Sequence, residues 1–225
     1  MNSREYNVLH MPLDVLTPLR IQPDASLVGV NDAVMAYQAA RGLAADGFCG
    51  PATIRACLEE MTGMPMPAPP FKAPVGYDGI HARFGNPLLE KGDHGDFLKV
   101  TSPAYKAALK RVTLTGACHA TVREEIADHT RNTFQWLLDA LQWAPHRVDS
   151  FVPRYKRNGS AYPSPSMHSY GLALDIDPLT NGRGDQTPEI PQVVFLALFA
   201  CGWNCGNWWK GSSRDAMHIQ FSTGC

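Results

Sequence analysis

The sequence predicts an α+β fold, with a small antiparallel sheet and a set of helices forming one unit and a smaller helical unit preceding it. Three observations predict it. Residues 172–177 (Leu-Ala-Leu-Asp-Ile-Asp) and 217–221 (Met-His-Ile-Gln-Phe) alternate with the period of strands. Residues 28–41, 51–61, 121–143 and 192–201 carry apolar side chains at helical spacing or in an unbroken apolar run. The two kinds of segment occur in mixed order, without the regular strand-helix alternation of a parallel sheet.

Taken in chain order, the first helix has Val30, Val34, Tyr37 and Arg41 at helical spacing. Ala45-Asp46-Gly47 then marks a turn. Gly50-Pro51-Ala52-Thr53 opens the second helix, with proline in the first turn, where its missing N–H costs nothing. Ile54, Cys57, Leu58 and Met61 follow at i, i+3, i+4 and i+7. Residues 62–75 are proline-dense and predict a semi-stiff spacer. The expected boundaries are therefore a helical domain at 1–61, a linker at 62–75 and a larger domain at 76–225. Within the larger domain, the helix expected over 121–143 carries a stripe of Val122, Ile126, Thr130, Thr133, Leu137 and Leu141. Ser150-Phe151-Val152 is an expected strand leading to Arg154. The apolar run 192–201 predicts a buried helix ended by Gly202.

Composition excludes several classes. At 225 residues, with 44% hydrophobic and 18% charged side chains, the chain is globular rather than disordered. A formal net charge of −1 and no basic stripe give no footprint for nucleic acid. No apolar run reaches membrane-spanning length, so no membrane insertion is expected. The first residues, Met-Asn-Ser-Arg-Glu-Tyr-Asn-Val, lack an apolar signal core, which predicts synthesis in a cytosol without a cleavable signal. The six cysteines show no CxxC pair and are expected as reduced thiols, with Cys57 buried; a disulfide or second metal site at Cys201 and Cys205 is the lesser alternative.

The chemistry is concentrated near the C-terminus. His168 and Asp175 lie in Ser166-Met167-His168-Ser169-Tyr170-Gly171-Leu172-Ala173-Leu174-Asp175, and His218 ends Asp215-Ala216-Met217-His218. Two neutral imidazoles and one carboxylate form a donor set suited to Zn²⁺ with one position left for water. If 172–177 is a strand, Asp175 faces away from Leu172, Leu174 and Ile176, and His218 and Gln220 share a face of the next strand. Two neighbouring strands would then bring His218 beside Asp175. Asp215 would stand just before the second strand, near the metal but free of it, as a general base. The other six histidines, His10, His81, His94, His119, His129 and His146, show no partner pattern and are expected on the surface or in the core.

These motifs resemble the LAS-type zinc peptidases, which include D-alanyl-D-alanine carboxypeptidases and the L-alanyl-D-glutamate endopeptidases of phage lysis enzymes. The family pattern is Ser-x-His-x-x-Gly-x-Ala-x-Asp followed by acid-x-x-His. Its fixed positions stand here at Ser166, His168, Gly171, Ala173, Asp175, Asp215 and His218. Residues 202–209, Gly-Trp-Asn-Cys-Gly-Asn-Trp-Trp, are similar to the family's Gly/Trp-rich segment, and Pro153-Arg154 to the position of an arginine that steadies developing negative charge. The resemblance implies zinc held by His168, Asp175 and His218, catalysis by Asp215 and Arg154, and a substrate-orienting or loop-supporting role for Ser166. One of Trp203, Trp208 and Trp209 is expected at a substrate groove, with Trp208 the candidate. An aspartate at 215, rather than glutamate, leans toward an endopeptidase.

A second resemblance covers residues 24–61. Gln38, Gly42-Leu43, Asp46-Gly47, Gly50 and Thr53 follow the order of the small helical peptidoglycan-binding domain. Together the two imply a monomeric enzyme whose partner is bacterial peptidoglycan. It would be held in the host cytoplasm until released to the wall, where it would cut the stem peptide, with L-Ala–D-Glu the expected bond. The alternatives are a D-Ala-D-Ala carboxypeptidase and a non-catalytic zinc-containing wall-binding protein. Arg183-Gly184-Asp185 is read as a polar turn, Asn158-Gly159-Ser160 as an unused glycosylation sequon, and 154–157 as a basic run.

Overall fold

The computed structural model describes residues 17–21, 26–91, 98–156 and 164–224. His10, His94, Arg157, the sequon at 158–160, Pro163 and Cys225 lie outside the described residues. Among those described, six α-helices surround small antiparallel sheets, giving the mixed helix-and-strand architecture that the sequence predicts.

Helix α1, Leu27–Ala40, starts at Ser26, whose hydroxyl accepts the Gly29 N–H at 3.3 Å. Helix α2, Pro51–Thr62, has Pro51 in its first turn and ends where Gly63, at φ 68°, sends its N–H back to the Glu59 carbonyl. Val30, Val34, Tyr37, Ile54, Cys57 and Leu58 are buried, whereas Met61, the last member of the expected stripe, is exposed. One buried amide ties the turn together. Gln38 Nε2 lies 3.0 Å from Asp46 Oδ1, the Phe48 carbonyl and Thr53 Oγ1, and Gln38 Oε1 accepts the Gly47 N–H at 2.9 Å. Gln38, Asp46, Gly47 and Thr53 of the N-terminal motif thus meet in a single hydrogen-bond knot.

The proline-dense segment runs along the rest of the molecule. Arg55 donates to the carbonyls of Met66, Pro67 and Ala200 at 2.8, 3.0 and 2.8 Å. Glu59 accepts the Met66 N–H at 2.8 Å. Pro69 lies against Gly202, and the Phe71 ring packs on Phe84 and Phe221. Prolines donate nothing to a ladder, but their segment keeps its carbonyls, and Arg55 gathers these together with the carbonyl at the end of a helix, Ala200.

Helix α3 spans Gly76–Phe84, strands β1 (Leu89–Lys91) and β2 (Leu98–Val100) pair antiparallel, and the short helix α4 covers Pro103–Ala107. Strands β3 (Leu109–Thr113) and β4 (His119–Arg123) form a second antiparallel pair. This corrects one expectation: helix α5 is Glu124–Leu141 and does not include Thr121 or Val122. Those residues pair with Arg111 and Lys110, and Val122 is fully buried from the strand. Their β-branched side chains favour the pleated surface, and the helix begins at the acidic pair Glu124-Glu125, favourable to its positive end. Ile126, Thr130, Thr133 and Leu137 are buried as the stripe requires.

Strand β5 is Val148–Asp149, so the expected strand at 150–152 lies just beyond the ladder. Its groups have other uses: Ser150 Oγ accepts the Thr121 N–H at 2.9 Å, and its carbonyl faces His168. Strand β6 (Ala173–Ile176), helix α6 (Gln192–Ala200), β7 (Asn204–Cys205) and β8 (His218–Gln220) complete the chain. The main sheet runs β5-β6-β8-β7, with every neighbouring pair antiparallel. Leu174, Ile176 and Ile219 are wholly buried on one face, and α6 is buried along most of its length before Gly202, at φ 92°, turns the chain. Cys49, Cys57, Cys118, Cys201 and Cys205 are buried and unbridged, and burial pushes the Cys57 and Cys201 thiols up to about 11. His129, expected on the surface or in the core, is buried; it stacks on Trp203 and shares a 2.8 Å hydrogen bond with the Cys201 carbonyl, and burial lowers its pKa.

Arg55→Ala should leave three carbonyls without their charged donor and cost about 2–3 kcal/mol. For a chain of this size that lowers Tm by roughly 4–12 °C, measurable by calorimetry.

Candidate metal centre and cleft

His168 sits in a 3₁₀ turn, Met167–Tyr170, that local chemistry dictates. Ser166 caps the turn, its hydroxyl accepting the His168 N–H at 3.4 Å. Gly171 closes it at φ 67°, where a Cβ would stand 2.8 Å from Leu109 and 3.1 Å from the Arg123 nitrogen. Only glycine satisfies both the backbone conformation and the close approach of β3 and β4. Ser169 holds the neighbouring segment: its hydroxyl accepts the Arg154 N–H at 2.8 Å and donates to the Arg154 carbonyl at 2.7 Å.

Asp175 and His218 come together through sheet register. They are directly opposed on β6 and β8, so their side chains share one face, as do those of Ala173 and Gln220. The acid-x-x-His spacing also has a mechanical cause. Asp215 to His218 forms a turn in which the Asp215 carbonyl accepts the His218 N–H at 3.0 Å, placing acid and ligand at one end of the strand. Gly206 makes room for it, because a Cβ there would overlap the Asp215 carbonyl oxygen.

Three atoms converge on one point. Asp175 Oδ1 lies 3.1 Å from His168 Nε2 and 3.0 Å from His218 Nδ1, and the two nitrogens are 3.3 Å apart. Their outer partners settle what these atoms are. His168 Nδ1 faces the Ser150 carbonyl at 2.7 Å, so it carries the proton. Gln220 Nε2 donates to Ser222 at 3.1 and 3.3 Å, which turns Gln220 Oε1 toward His218 Nε2 at 3.1 Å and places a proton there too. In the neutral rings both inward nitrogens are therefore lone pairs, facing each other and a carboxylate. Such a cluster needs a cation. Donors about 2.0–2.2 Å from a tetrahedral Zn²⁺ stand roughly 3.3–3.5 Å apart, close to the separations found. Burial raises the Asp175 pKa, and what holds the carboxyl well below the usual range is positive charge and donated protons at its inner face, supplied by His168 and His218 when those rings are protonated and by a cation when they are not. Among the described residues these three are the group that could hold a metal ion.

The cluster forms part of a cleft of about 800 Å³ lined by Arg154, Ser166, Trp209 and Asp215, among others. Asp215 is half-buried outside the donor triangle, and its Oδ1 is buried with no hydrogen-bond partner among the described residues. Burial raises its pKa, with the neighbouring Asp175 charge adding to the effect against His218 and Arg183. Arg154 brings its guanidinium to 3.9 Å from Asp175 Oδ2, an ion-pair distance too long for a hydrogen bond.

The tryptophans separate. Trp203 is wholly buried in the core. Trp208, the expected groove residue, lies edge-on against Phe199 with ring centres 5.0 Å apart and does not line the cleft. Trp209 does, with its ring 5.3 Å from that of His218 and its indole N–H donated to Asn204. At 202–209 every residue lies near the core or the site, and only the backbone path sorts them. Sequence reading also missed three groups: the Ser150 carbonyl, which no side-chain pattern marks; Gln220, whose shared face with His218 was the available signal; and Arg183, passed over as a polar turn, which lines the cleft.

A family model described as D-alanyl-D-alanine carboxypeptidase matches residues 160–221, a stretch that contains His168, Asp175, Asp215 and His218. No curated protein and no solved structure matches the chain. The matched stretch, with the donor cluster inside it, supports a zinc-dependent peptidase related to peptidoglycan at the level of that family.

Gln220→Leu should remove the acceptor that fixes the His218 ring and weaken zinc binding about 10–100-fold while the sheet remains folded. Competition against a chelating dye, with circular dichroism on the same samples, measures both.

Proposed function

We propose that the chain is a zinc peptidase that cuts within the stem peptide of bacterial peptidoglycan during cell lysis, at the L-Ala–D-Glu bond. The observation that carries the peptidase reading is the donor triangle, two fixed lone-pair nitrogens and a carboxylate oxygen within 3.3 Å of one another, beside a buried carboxylate that is not part of it. A purely structural zinc site fills its fourth position with a protein ligand and has no use for such an acid, which weighs against the non-catalytic alternative.

Bound zinc would supply a water whose pKa falls to about 7. Asp215 accepts a proton at its carboxylate and returns it to the departing amine. Arg154 presents positive charge where the carbonyl oxygen becomes negative. Ser166 supports the His168 turn through its cap, and Trp209 provides an apolar wall for the peptide. The endopeptidase reading is supported by the aspartate at 215. The helical unit of α1 and α2, with its Gln38 knot, is the part proposed to hold the wall.

Cleavage of the terminal D-Ala is the second reading, favoured by the description of the matched family. Digestion of purified Gram-negative walls, with mass spectrometry and end-group analysis of the products, separates the two. New D-Glu amino termini are expected; free D-Ala as the sole product would establish the carboxypeptidase, and released reducing sugars would overturn the peptidase altogether.

The base should be separable from the ligands. Asp215→Asn is expected to keep about one zinc per chain, by elemental analysis, and to lose about 10²–10⁴-fold in kcat. His168→Ala or His218→Ala should lose both metal and activity.

A further inference from the structure

The segment that carries Arg154 has no sheet to hold it. Strand β5 ends at Asp149, and Val152, Pro153 and Arg154 belong to no ladder. Pro153 fixes its own φ but brings no N–H. Beyond Arg154 the chain makes an isolated antiparallel bridge, Tyr155 with Pro165, and the Lys156 N–H is donated to the Ser164 carbonyl at 2.9 Å. The place of a guanidinium depends on the place of the backbone from which it extends.

A buried hydroxyl holds that backbone. Ser169 is wholly buried. Its Oγ accepts the Arg154 N–H at 2.8 Å and donates to the Arg154 carbonyl at 2.7 Å, with the Val152 carbonyl at 3.3 Å. The Arg154 carbonyl also accepts the Ser166 N–H at 2.9 Å. Both main-chain polar groups of Arg154 therefore end on the His168 turn and its cap. The turn itself does not use the Ser169 hydroxyl. It closes through main-chain bonds, Ser169 N–H to the Ser166 carbonyl at 2.8 Å and Gly171 N–H to the His168 carbonyl at 3.1 Å, and the His168 ring is held by the Ser150 carbonyl. The hydroxyl is thus committed to residues 152–154, and from there Arg154 reaches to 3.9 Å from Asp175 Oδ2, at the edge of the donor cluster.

We propose that Ser169 is a positioning residue, whose hydroxyl ties the Arg154 backbone to the turn that bears His168, so that the guanidinium and the metal ligands keep one geometry. The inference rests on the peptidase reading, in which Arg154 meets the developing negative charge. A charged group stabilises a transition state only where the charge develops, and a displacement of about 1 Å costs on the order of 100-fold in rate. Removing the hydroxyl takes away the acceptor of the Arg154 N–H and frees the segment to shift.

The test uses the full-length, zinc-loaded protein and a soluble synthetic stem peptide. Ser169→Ala should keep about one zinc per chain and a KM within about twofold of the wild type, and lose about 10–100-fold in kcat. Arg154→Ala should also lose kcat, and adding Ser169→Ala to it should cost nothing more, because the group being positioned is gone. Ser169→Thr, which keeps the hydroxyl, should recover most of the rate. Loss of zinc from Ser169→Ala, an undiminished further loss of kcat in the Arg154→Ala background, or a wild-type kcat in Arg154→Ala would each overturn the proposal. If Ser169→Ala does not fold, by circular dichroism, Ser169→Cys takes its place in the same cycle. Amide exchange followed by NMR gives a readout independent of turnover. Ser169→Ala should speed exchange at the Arg154 amide about tenfold or more and leave the Ser169 and Gly171 amides, which close the His168 turn, unchanged. If the wild type does not cut the peptide, the peptidase reading fails and exchange alone decides the role of Ser169. Faster exchange confined to Arg154 and its neighbours supports it; unchanged exchange at Arg154 overturns it.

Discussion

The site depends on one constraint: the antiparallel register that sets Asp175 opposite His218. A slip of one residue would turn Asp175 and His218 toward the apolar face and bring Leu174 and Ile219 out of the core. Burial of Leu174, Ile176 and Ile219 therefore fixes the metal site from behind. At about 1.5–3 kcal/mol for each large apolar side chain, the core holds the register far more firmly than the polar face could. The third donor, His168, is brought in by the capped turn ending at Gly171, a position that β3 and β4 crowd so closely that no side chain fits.

The donors are prepared before any ion arrives. The Ser150 carbonyl and the Gln220 amide each take one imidazole proton, leaving the other nitrogen of each ring as a lone pair aimed at Asp175. Without a cation the arrangement is self-repelling or must take up protons. Energy spent on holding three donors together is returned when the metal binds, so affinity rests on groups one layer out. Asp215 follows a different logic. It is placed by a turn rather than by a ladder, it is half-buried with its Oδ1 lacking a hydrogen-bond partner among the described residues, and burial raises its pKa. The two carboxyls thus differ: charge at the inner face of the cluster lowers the Asp175 pKa, and burial raises that of Asp215.

The helical N-terminal unit is attached by more than its chain. Arg55 on α2 reaches the end of α6, and α6 leads directly into the segment that carries Gly206 and Trp209. Prolines stiffen the path between, and their carbonyls serve as the acceptors. These contacts tie α2 and the proline-dense segment to the end of α6.

The sequence by itself picked out the three residues that cluster and could hold a metal ion. His168, Asp175 and His218 were legible because a metal site constrains residue type, and strand alternation assigned Asp175 and His218 to faces. Both N-terminal helices were legible, the first from Val30, Val34, Tyr37 and Arg41 at helical spacing and the second from Pro51 in its first turn, because periodicity and first-turn prolines act over a few residues. Tertiary structure decided the rest. Thr121 and Val122 joined a strand because β3 was there to pair with them, a partner that helical periodicity cannot sense. Trp209 rather than Trp208 faces the cleft because the backbone turns at 206–208, and two adjacent tryptophans are indistinguishable until that path is known. Arg183 became a cleft residue through a bridge to Asp215, 32 positions further along the chain by their numbers. Local chemistry acts through neighbours in sequence, whereas these three outcomes depend on groups that meet only when the chain is closed.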